Sequence, residues 1–395
     1  RWGKSKKLKS RNDTSSSRKV KVKVKADISI GIKIKSSKMS IFPCSLSLAK
    51  LLLLLSILIF QTAARKKHSP IVNPRNEMKT SSSQSKLLPS VLLRGTSTIA
   101  VTAALPAILI GSKDLIQNEE DVLPFLPLRP WQLLNLIAFF TNMWAVTVRG
   151  RIDGEQARSN SPDSKDIRFF TPAGWAFAIW GPIFLGELFF SIYQALPIDS
   201  VKESSVLSNL SPFWLATMGF QSIWCSAFRP WAVQNKLLWI PAFLLTLTGV
   251  ALAGVNDVLS TAIKEGELNA LKYVLVKVPL GLHFGWITAA TLVSWNGVIA
   301  STSLALYKKL ATSFASTYLA VAIGAVVASM KSDPIYAFVI SWALAAVADE
   351  RGWGKLKGTV DLVALQANAL TAKIGSCFMA FVTLGLIAPF IFKLF

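Results

Sequence analysis

Glu187 and His283 are the side chains in the hydrophobic part of this sequence that are best suited to proton chemistry. Glu187 lies in the apolar segment FTPAGWAFAIWGPIFLGELFFSIYQA, residues 170–195, and His283 lies in KVPLGLHFGWITAATLVSWN, residues 277–296. A carboxylate among apolar side chains must face the protein interior, bind a cation or stay protonated. Both residues are therefore candidates for ligand binding or proton transfer. A structural hydrogen bond between helices is the alternative for each of them.

Aromatic side chains accompany both groups at helical spacing. Phe177, Trp180 and Phe184 share one helix face with Glu187. Simple packing against neighbouring helices is the alternative role for the deep tryptophans. The predicted ligand-binding residues are aromatic or polar and are all expected deep in a helix: Trp175, Phe177, Trp180, Phe184, Glu187, Trp224, His283 and Trp286.

The composition is that of a membrane protein. Of the 395 residues 52% are hydrophobic and only 16% are charged, whereas a soluble protein carries about a quarter charged residues. The net charge of +22 comes largely from residues 1–95, which hold 22 Lys and Arg residues against 3 acidic ones. Because the remainder is nearly neutral, the sequence argues against a nucleic-acid partner. Three widely spaced cysteines and two histidines argue against a disulfide framework or a Cys/His metal site.

Eight apolar segments approach the length of about 20 residues that a helix needs to cross a bilayer. The sequence therefore predicts an all-α polytopic membrane protein, a helical bundle of about eight transmembrane helices. Pro182 predicts a break in the second segment. Lys and Arg residues favour the loops after the first, third, fifth and seventh segments, which places the 149–172 loop on the cytosolic or stromal side. The segments lie near 131–148, 173–195, 212–229, 237–255, 273–294, 311–330, 335–349 and 371–392.

We expect residues 1–95 to be a basic, low-complexity tail that contains a targeting sequence, with translated non-coding residues before the first methionine as a further hypothesis. From Met39, an apolar run followed by QTAA resembles a signal peptide. From Met78, a Ser-rich, basic and acid-free stretch resembles an organellar transit peptide. We therefore expect an organellar membrane, with the plastid favoured and the endomembrane system as the alternative. Residues 96–130 are expected to be a linker or an additional short span. The apolar run 97–111 is shorter than the eight segments and contains Pro106, so a ninth span, a re-entrant piece and a part of the presequence remain alternatives for it.

Three segments share a pattern of tryptophan, phenylalanine and proline. They are GWAFAIW after Pro172, QSIWCSAFRPW at 221–231, and GWITAATLVSWN at 285–296. Together they resemble the translocator-protein, or tryptophan-rich sensory protein, family. One residue fewer separates the tryptophans of GWAFAIW than in the family motif, and the chain is longer, so the resemblance is to a distant branch.

The resemblance covers about residues 130–300. It implies a five-helix tryptophan-rich bundle at 131–300 whose aromatic interior binds tetrapyrroles, sterols or other flat apolar ligands. Residues 301–395 then form three further transmembrane helices. Gly281 and Gly285 form a GxxxG pattern that permits close helix contact in the fifth segment.

Three functions follow from these observations. The first is a membrane protein that binds or transports a flat apolar small molecule; a tetrapyrrole would be a ligand here, and no cofactor is expected. The second is an ion- or proton-coupled transporter that uses Glu187 and His283. The third is a structural or assembly factor of an organellar membrane complex. An enzyme is not expected, because the sequence offers no phosphate loop or catalytic triad. The expected partners are the lipid bilayer, the apolar ligand, and a second copy or a membrane complex.

Overall fold

The computed structural model of the chain describes residues 128–152, 168–358 and 360–391. The predicted targeting tail at 1–95, the predicted ninth helix at 97–111 and the middle of the 149–172 loop lie outside these residues. Within the described ranges every extended stretch of regular structure is helical.

The described part of the chain contains eight helices of 15 residues or more, and each overlaps one of the predicted apolar segments. Their bounds are α1 Pro130–Thr147, α2 Trp180–Gln194, α3 Ser205–Ala227, α4 Trp239–Lys264, α5 Val278–Ala300, α6 Leu306–Lys331, α7 Pro334–Ala348 and α8 Leu362–Ile391. Short helical turns connect α2 to α3, α3 to α4 and α7 to α8. The prediction of an all-α membrane protein is confirmed, because five helices are long and apolar enough to cross a bilayer: Gly174–Gln194, Trp239–Lys264, Ala270–Ala300, Leu306–Lys331 and Leu362–Pro389.

The other three helices, α1, α3 and α7, are more polar or shorter. In α1 the side chain of Asn135 donates to Ser211 Oγ of α3 at 2.9 Å, and Asn142 donates to Ser222 Oγ at 3.2 Å. All four side chains are buried, so α1 and α3 turn their polar residues toward each other. With 15 residues, α7 is only about 22 Å long. The prediction of eight crossings therefore stays a prediction.

The break predicted at Pro182 lies before that residue. Residues Gly174–Ile179 form a 3₁₀ helix that passes directly into α2. Pro182 is the third residue of α2 and therefore lies next to the junction at which the 3₁₀ helix becomes an α-helix. The 3₁₀ segment is held by α7, because the Ala173 N–H donates to the Ala346 carbonyl at 2.8 Å and Trp342 Nε1 donates to the Ala176 carbonyl at 3.2 Å.

Helix α5 lies at the centre of the bundle, in contact with α2, α4, α6 and α7. Its GxxxG pattern faces α7, as the close-contact prediction requires. A β-carbon added at Gly285 would lie 2.7 Å from the Val339 β-carbon, and one added at Gly281 would lie 3.2 Å from the Ile335 side chain. The helices of the C-terminal part therefore pack directly on the tryptophan-rich part.

A buried ion pair lies where α5 and α7 begin. Lys277, in the π-helical turn before α5, lies 2.5 Å from the carboxylate of Asp333, and both side chains are almost fully buried. Lys277 also donates to Asn256 of α4. The second oxygen of Asp333 accepts the Tyr336 N–H at 3.1 Å and so caps α7. This cluster connects α4, α5 and the turn between α6 and α7.

Candidate ligand-binding site

Glu187 of α2 and His283 of α5 are in direct contact. Glu187 Oε1 lies 2.6 Å from His283 Nδ1, and both side chains are completely buried. The helices can approach closely because Gly186 faces Pro279: a β-carbon at Gly186 would lie 2.6 Å from the Pro279 β-carbon. The carboxyl group of Glu187 and the imidazole of His283 therefore lie together in the interior of the helix bundle.

Both residues retain unpaired atoms. Glu187 Oε2, His283 Nε2 and Ser191 Oγ, one turn along α2 from Glu187, have no hydrogen-bond partner among the described residues. Buried polar atoms without a partner cost free energy and are usually satisfied by water or a ligand. The pair therefore still offers one unpaired polar atom on each side chain to water or a ligand.

Trp180 connects this pair to the surrounding aromatic side chains. Its ring meets the His283 ring edge-on at 5.6 Å and stacks on Phe184 at 4.9 Å. Trp286 lies edge-on to Trp180 at 6.3 Å and to Phe177 at 5.4 Å. The aromatic residues of α2 and α5 thus form one continuous cluster.

A cavity of about 230 Å³ lies against this cluster and is lined by Phe177, Trp180 and Trp286. Its aromatic walls are Phe170, Phe177, Trp180, Trp224, Phe228 and Trp286. Small and aliphatic residues of α4, α5 and α7 complete it, and its polar lining comes mainly from three residues: Arg168, Thr171 and Ser294. Such a cavity, mostly apolar with a few polar groups, is the usual form of a small-molecule site.

The structure separates the eight predicted site residues into three groups. Phe177, Trp180, Trp224 and Trp286 line the cavity. Phe184, Glu187 and His283 are not among its lining residues and contact Trp180 or each other. Trp175 lies apart from both: its Nε1 donates to Asp349 at 2.9 Å, and its ring packs edge-on against Trp342 at 4.7 Å.

The sequence did not predict Gln221 as a site residue, and it did not predict that residues of α4 and α7 line the cavity. Gln221 in α3 is 1% exposed, precedes Trp224 by one turn, and neither atom of its amide has a partner among the described residues. A glutamine inside an apolar helix is a signal that was open to sequence analysis. Leu245 of α4 and Ala343 of α7 carried no such signal, because leucine and alanine occur throughout every helix.

Arginines gather near the loop end of the cavity. Arg168 lines it, and the guanidinium of Arg151 lies 5.7 Å from the Trp224 ring centre. Arg229 Nη1 donates to the Arg149 carbonyl at 2.8 Å, and burial lowers the pKa of Arg229. This end of the site is therefore electropositive, and its walls are apolar.

The chain was compared with curated proteins, solved structures and protein-family profiles. Searches of curated proteins and of solved structures give no match to the chain. A family profile described as TSPO-like protein matches residues 132–380. The match extends beyond the 130–300 segment that carries the sequence motifs, and includes α6, α7 and most of α8. Because it covers well over half of the sequence, the chain belongs to the TSPO-like protein family.

Proposed function

We propose that this membrane protein binds, without catalysing a reaction, a flat apolar small molecule in the cavity between α2, α3, α4, α5 and α7. The observation that carries the proposal is the cavity itself, which is walled by Trp180, Trp224 and Trp286. Aromatic faces give a flat ligand a large contact area at little cost in side-chain entropy. Membership of the TSPO-like family supports ligand binding or transport in general.

The size of the cavity narrows the ligand class. At about 230 Å³ it lies below the roughly 300–1,000 Å³ of sites that enclose a drug-sized molecule. We therefore propose a sterol-like ring system or the end of a lipid-like molecule as the occupant. A tetrapyrrole, the largest of the candidates, requires the walls to move apart.

A binding screen that compares the wild-type protein with a variant whose cavity is blocked by a larger side chain tests this proposal. The purified protein is titrated with a sterol, a fatty-acyl lipid and a tetrapyrrole, next to the variant Ala289→Phe, which places a ring at the cavity wall. Ala322→Phe adds the same ring on the exposed face of α6 and is the control. Binding that is lost in Ala289→Phe and kept in Ala322→Phe supports the proposal. Equal binding by both variants contradicts it.

A second candidate function, proton-coupled transport, is favoured by one observation. Glu187 and His283 form a buried pair in contact with the cavity wall through Trp180. Intramembrane acids and histidines commonly carry protons in transporters. Uptake of the ligand into vesicles, with and without a pH gradient, distinguishes this function from simple binding: a proton-coupled carrier accumulates ligand only with the gradient.

We further propose that all eight helices cross the membrane, with the 149–172 loop on the cytosolic or stromal side. The loop charges support this orientation. Exposed cysteines introduced at Glu267, between α4 and α5, and at Ser301, between α5 and α6, test it with a membrane-impermeant thiol reagent. The two positions label from opposite sides if α5 crosses, and labelling of both from one side contradicts the topology.

We propose a plastid membrane as the location, on the basis of the acid-free, Ser-rich stretch after Met78. Chains started at Met39 and at Met78, each with a C-terminal fluorescent protein, test the assignment. Plastid fluorescence from the Met78 chain supports it. Fluorescence of both chains in the endomembrane system contradicts it.

A further inference from the structure

Lys373 is an exposed lysine within the long apolar helix α8. Its neighbours on the exposed surface include Leu370, Ile374 and Phe378, which are all about half exposed or more. Among the described residues it has no hydrogen bond or ion pair. In α8, which is long and apolar enough to cross a membrane, this places an amine on the surface that faces lipid.

The contacts of α8 place Lys373 near the middle of the bundle. It follows Leu362 by 11 residues, or about 16 Å along the helix. One turn further, Ser376 is bonded to Ser341, the midpoint of α7 Pro334–Ala348. Long lysine side chains near helix ends reach the membrane surface, but a lysine at this depth does so only at a large cost in free energy.

Lys373 also belongs to a regular stripe. The exposed residues Gln366, Leu370, Lys373, Cys377, Ala380 and Leu384 follow one another at alternating intervals of four and three. This spacing places them on one face of α8, where the polar side chains Gln366, Lys373 and Cys377 lie among apolar residues. The exposed residues of α2, by comparison, include Leu185, Phe189 and Ile192 and are apolar, as expected for a surface in contact with lipid.

The described helices offer no free carboxylate for this position. Among the described residues, the acids inside the eight long helices are Glu187, which is buried on His283, and Asp257, which is paired with Lys331. The apolar runs 51–60 and 97–111 contain no acid. A symmetric contact between two copies along this stripe would bring two ammonium groups together. Neither a second copy nor these apolar runs of the chain satisfies Lys373.

We propose that the α8 stripe around Lys373 binds a transmembrane helix of a different protein, and that this helix carries an aspartate or glutamate at mid-membrane depth. The ammonium group and the carboxylate form an ion pair in a medium of low dielectric, where opposite charges attract strongly. Ala380 permits close approach of the partner backbone, and Gln366 supplies a hydrogen bond.

Cysteine cross-linking tests the proposal in the full-length chain in its native membranes. A short photoactivatable cross-linker is attached to Cys377, one turn from Lys373 on the same stripe. The same linker at Leu185→Cys in a Cys377→Ser background probes the exposed surface of α2 as the control. Cross-linked peptides are sequenced. We expect a membrane helix with a carboxylate from Cys377 and lipid alone from the control position.

Reversing the charge of Lys373 then tests whether an ion pair holds the partner helix. Lys373→Glu should reduce the cross-linked product at least about tenfold, and changing the partner's acid to lysine should restore it. A cross-linked helix without an acid, or a product unaffected by Lys373→Glu, overturns the proposal. So does a product between two copies of this chain. Cross-linking to lipid alone from Cys377, as at the control position, overturns it in favour of a lipid contact.

Discussion

The indole N–H of Trp175 donates a 2.9 Å hydrogen bond to the carboxylate of Asp349, a residue 174 positions later in the chain. Trp175 is the first tryptophan of the GWAFAIW motif, and Asp349 caps the short helical turn between α7 and α8. The motif is therefore attached to the C-terminal helices. The family match, over residues 132–380, likewise includes both parts of the chain.

Trp175→Phe keeps the ring and removes the donor. We expect it to lower the free energy of unfolding by about 1–2 kcal/mol, because the lost bond is to a charged acceptor. Ligand binding should stay unchanged, since Trp175 does not line the cavity. Denaturant unfolding in detergent and a binding titration measure the two effects. Weakened binding at unchanged stability would show that Trp175 belongs to the site after all.

Stability should depend on pH through Asp349. Hydrogen bonds from the side chain and backbone of Arg351, with a further one from Trp175, lower the pKa of this carboxyl. A carboxylate with a lowered pKa stabilises the fold above its unfolded-state pKa of about 3.9, and this stabilisation disappears as the pH falls toward the folded-state pKa. Unfolding curves between about pH 6 and pH 3 should therefore show a smaller loss of stability in Asp349→Asn than in wild type. Parallel curves for the two proteins would contradict the assignment.

Trp180→Ala removes a wall of the cavity. We expect ligand binding to weaken by about 1–3 kcal/mol, or about 5- to 150-fold, because the ring buries a large apolar area. Trp342→Phe is the matched control: it changes an aromatic residue that packs against the same segment but does not line the cavity. A folded Trp180→Ala protein with wild-type affinity for sterol, lipid and tetrapyrrole would rule out the cavity as the site.

The helices of this fold were predictable, whereas the contacts between them were not. Runs of apolar residues located all eight helices, including α3, whose serines and glutamine are buried by its neighbours. Their ends were located less well: α3 begins seven residues and α8 nine residues before the predicted segment, and α4 ends nine residues after it. The pairing of Glu187 with His283 joins residues 96 positions apart, and no spacing rule connects them. The α7 wall of the cavity escaped prediction because Ala343 and Val347 look like any other membrane residues.

The buried ion pair at the start of α5 should be essential for stability. Asp333→Asn keeps an acceptor for the Tyr336 N–H but leaves Lys277 without its counter-charge, at a cost of about 3–5 kcal/mol. The double variant with Lys277→Met should recover most of this loss, because no buried charge remains. Asp257→Asn breaks the exposed pair with Lys331 and should cost less than about 1 kcal/mol. Thermal unfolding of the four proteins measures these differences, and equal losses in the single and double variants would contradict a charge effect.

Substitutions at Glu187 distinguish a structural role of this residue from a role in proton transfer. Glu187→Gln keeps a group that can accept from or donate to His283 Nδ1, whichever tautomer is present, but it cannot release a proton. We expect its stability to stay within about 1 kcal/mol of wild type. Glu187→Ala leaves His283 unpaired in the interior and opens a cavity, so it should lose about 2–4 kcal/mol.

Ligand flux into vesicles separates the two roles of this pair. If Glu187 only holds α2 to α5, the Gln variant binds and moves ligand like wild type, and the Ala variant fails because it is unstable. If the pair carries protons, the Gln variant is as stable as wild type but loses the part of the flux that depends on the pH gradient. His283→Asn, which keeps a polar side chain but cannot titrate, should then show the same loss. Wild-type stability and flux in all three variants would mean that neither role applies, because a completely buried 2.6 Å contact cannot be removed without consequence if it serves either one.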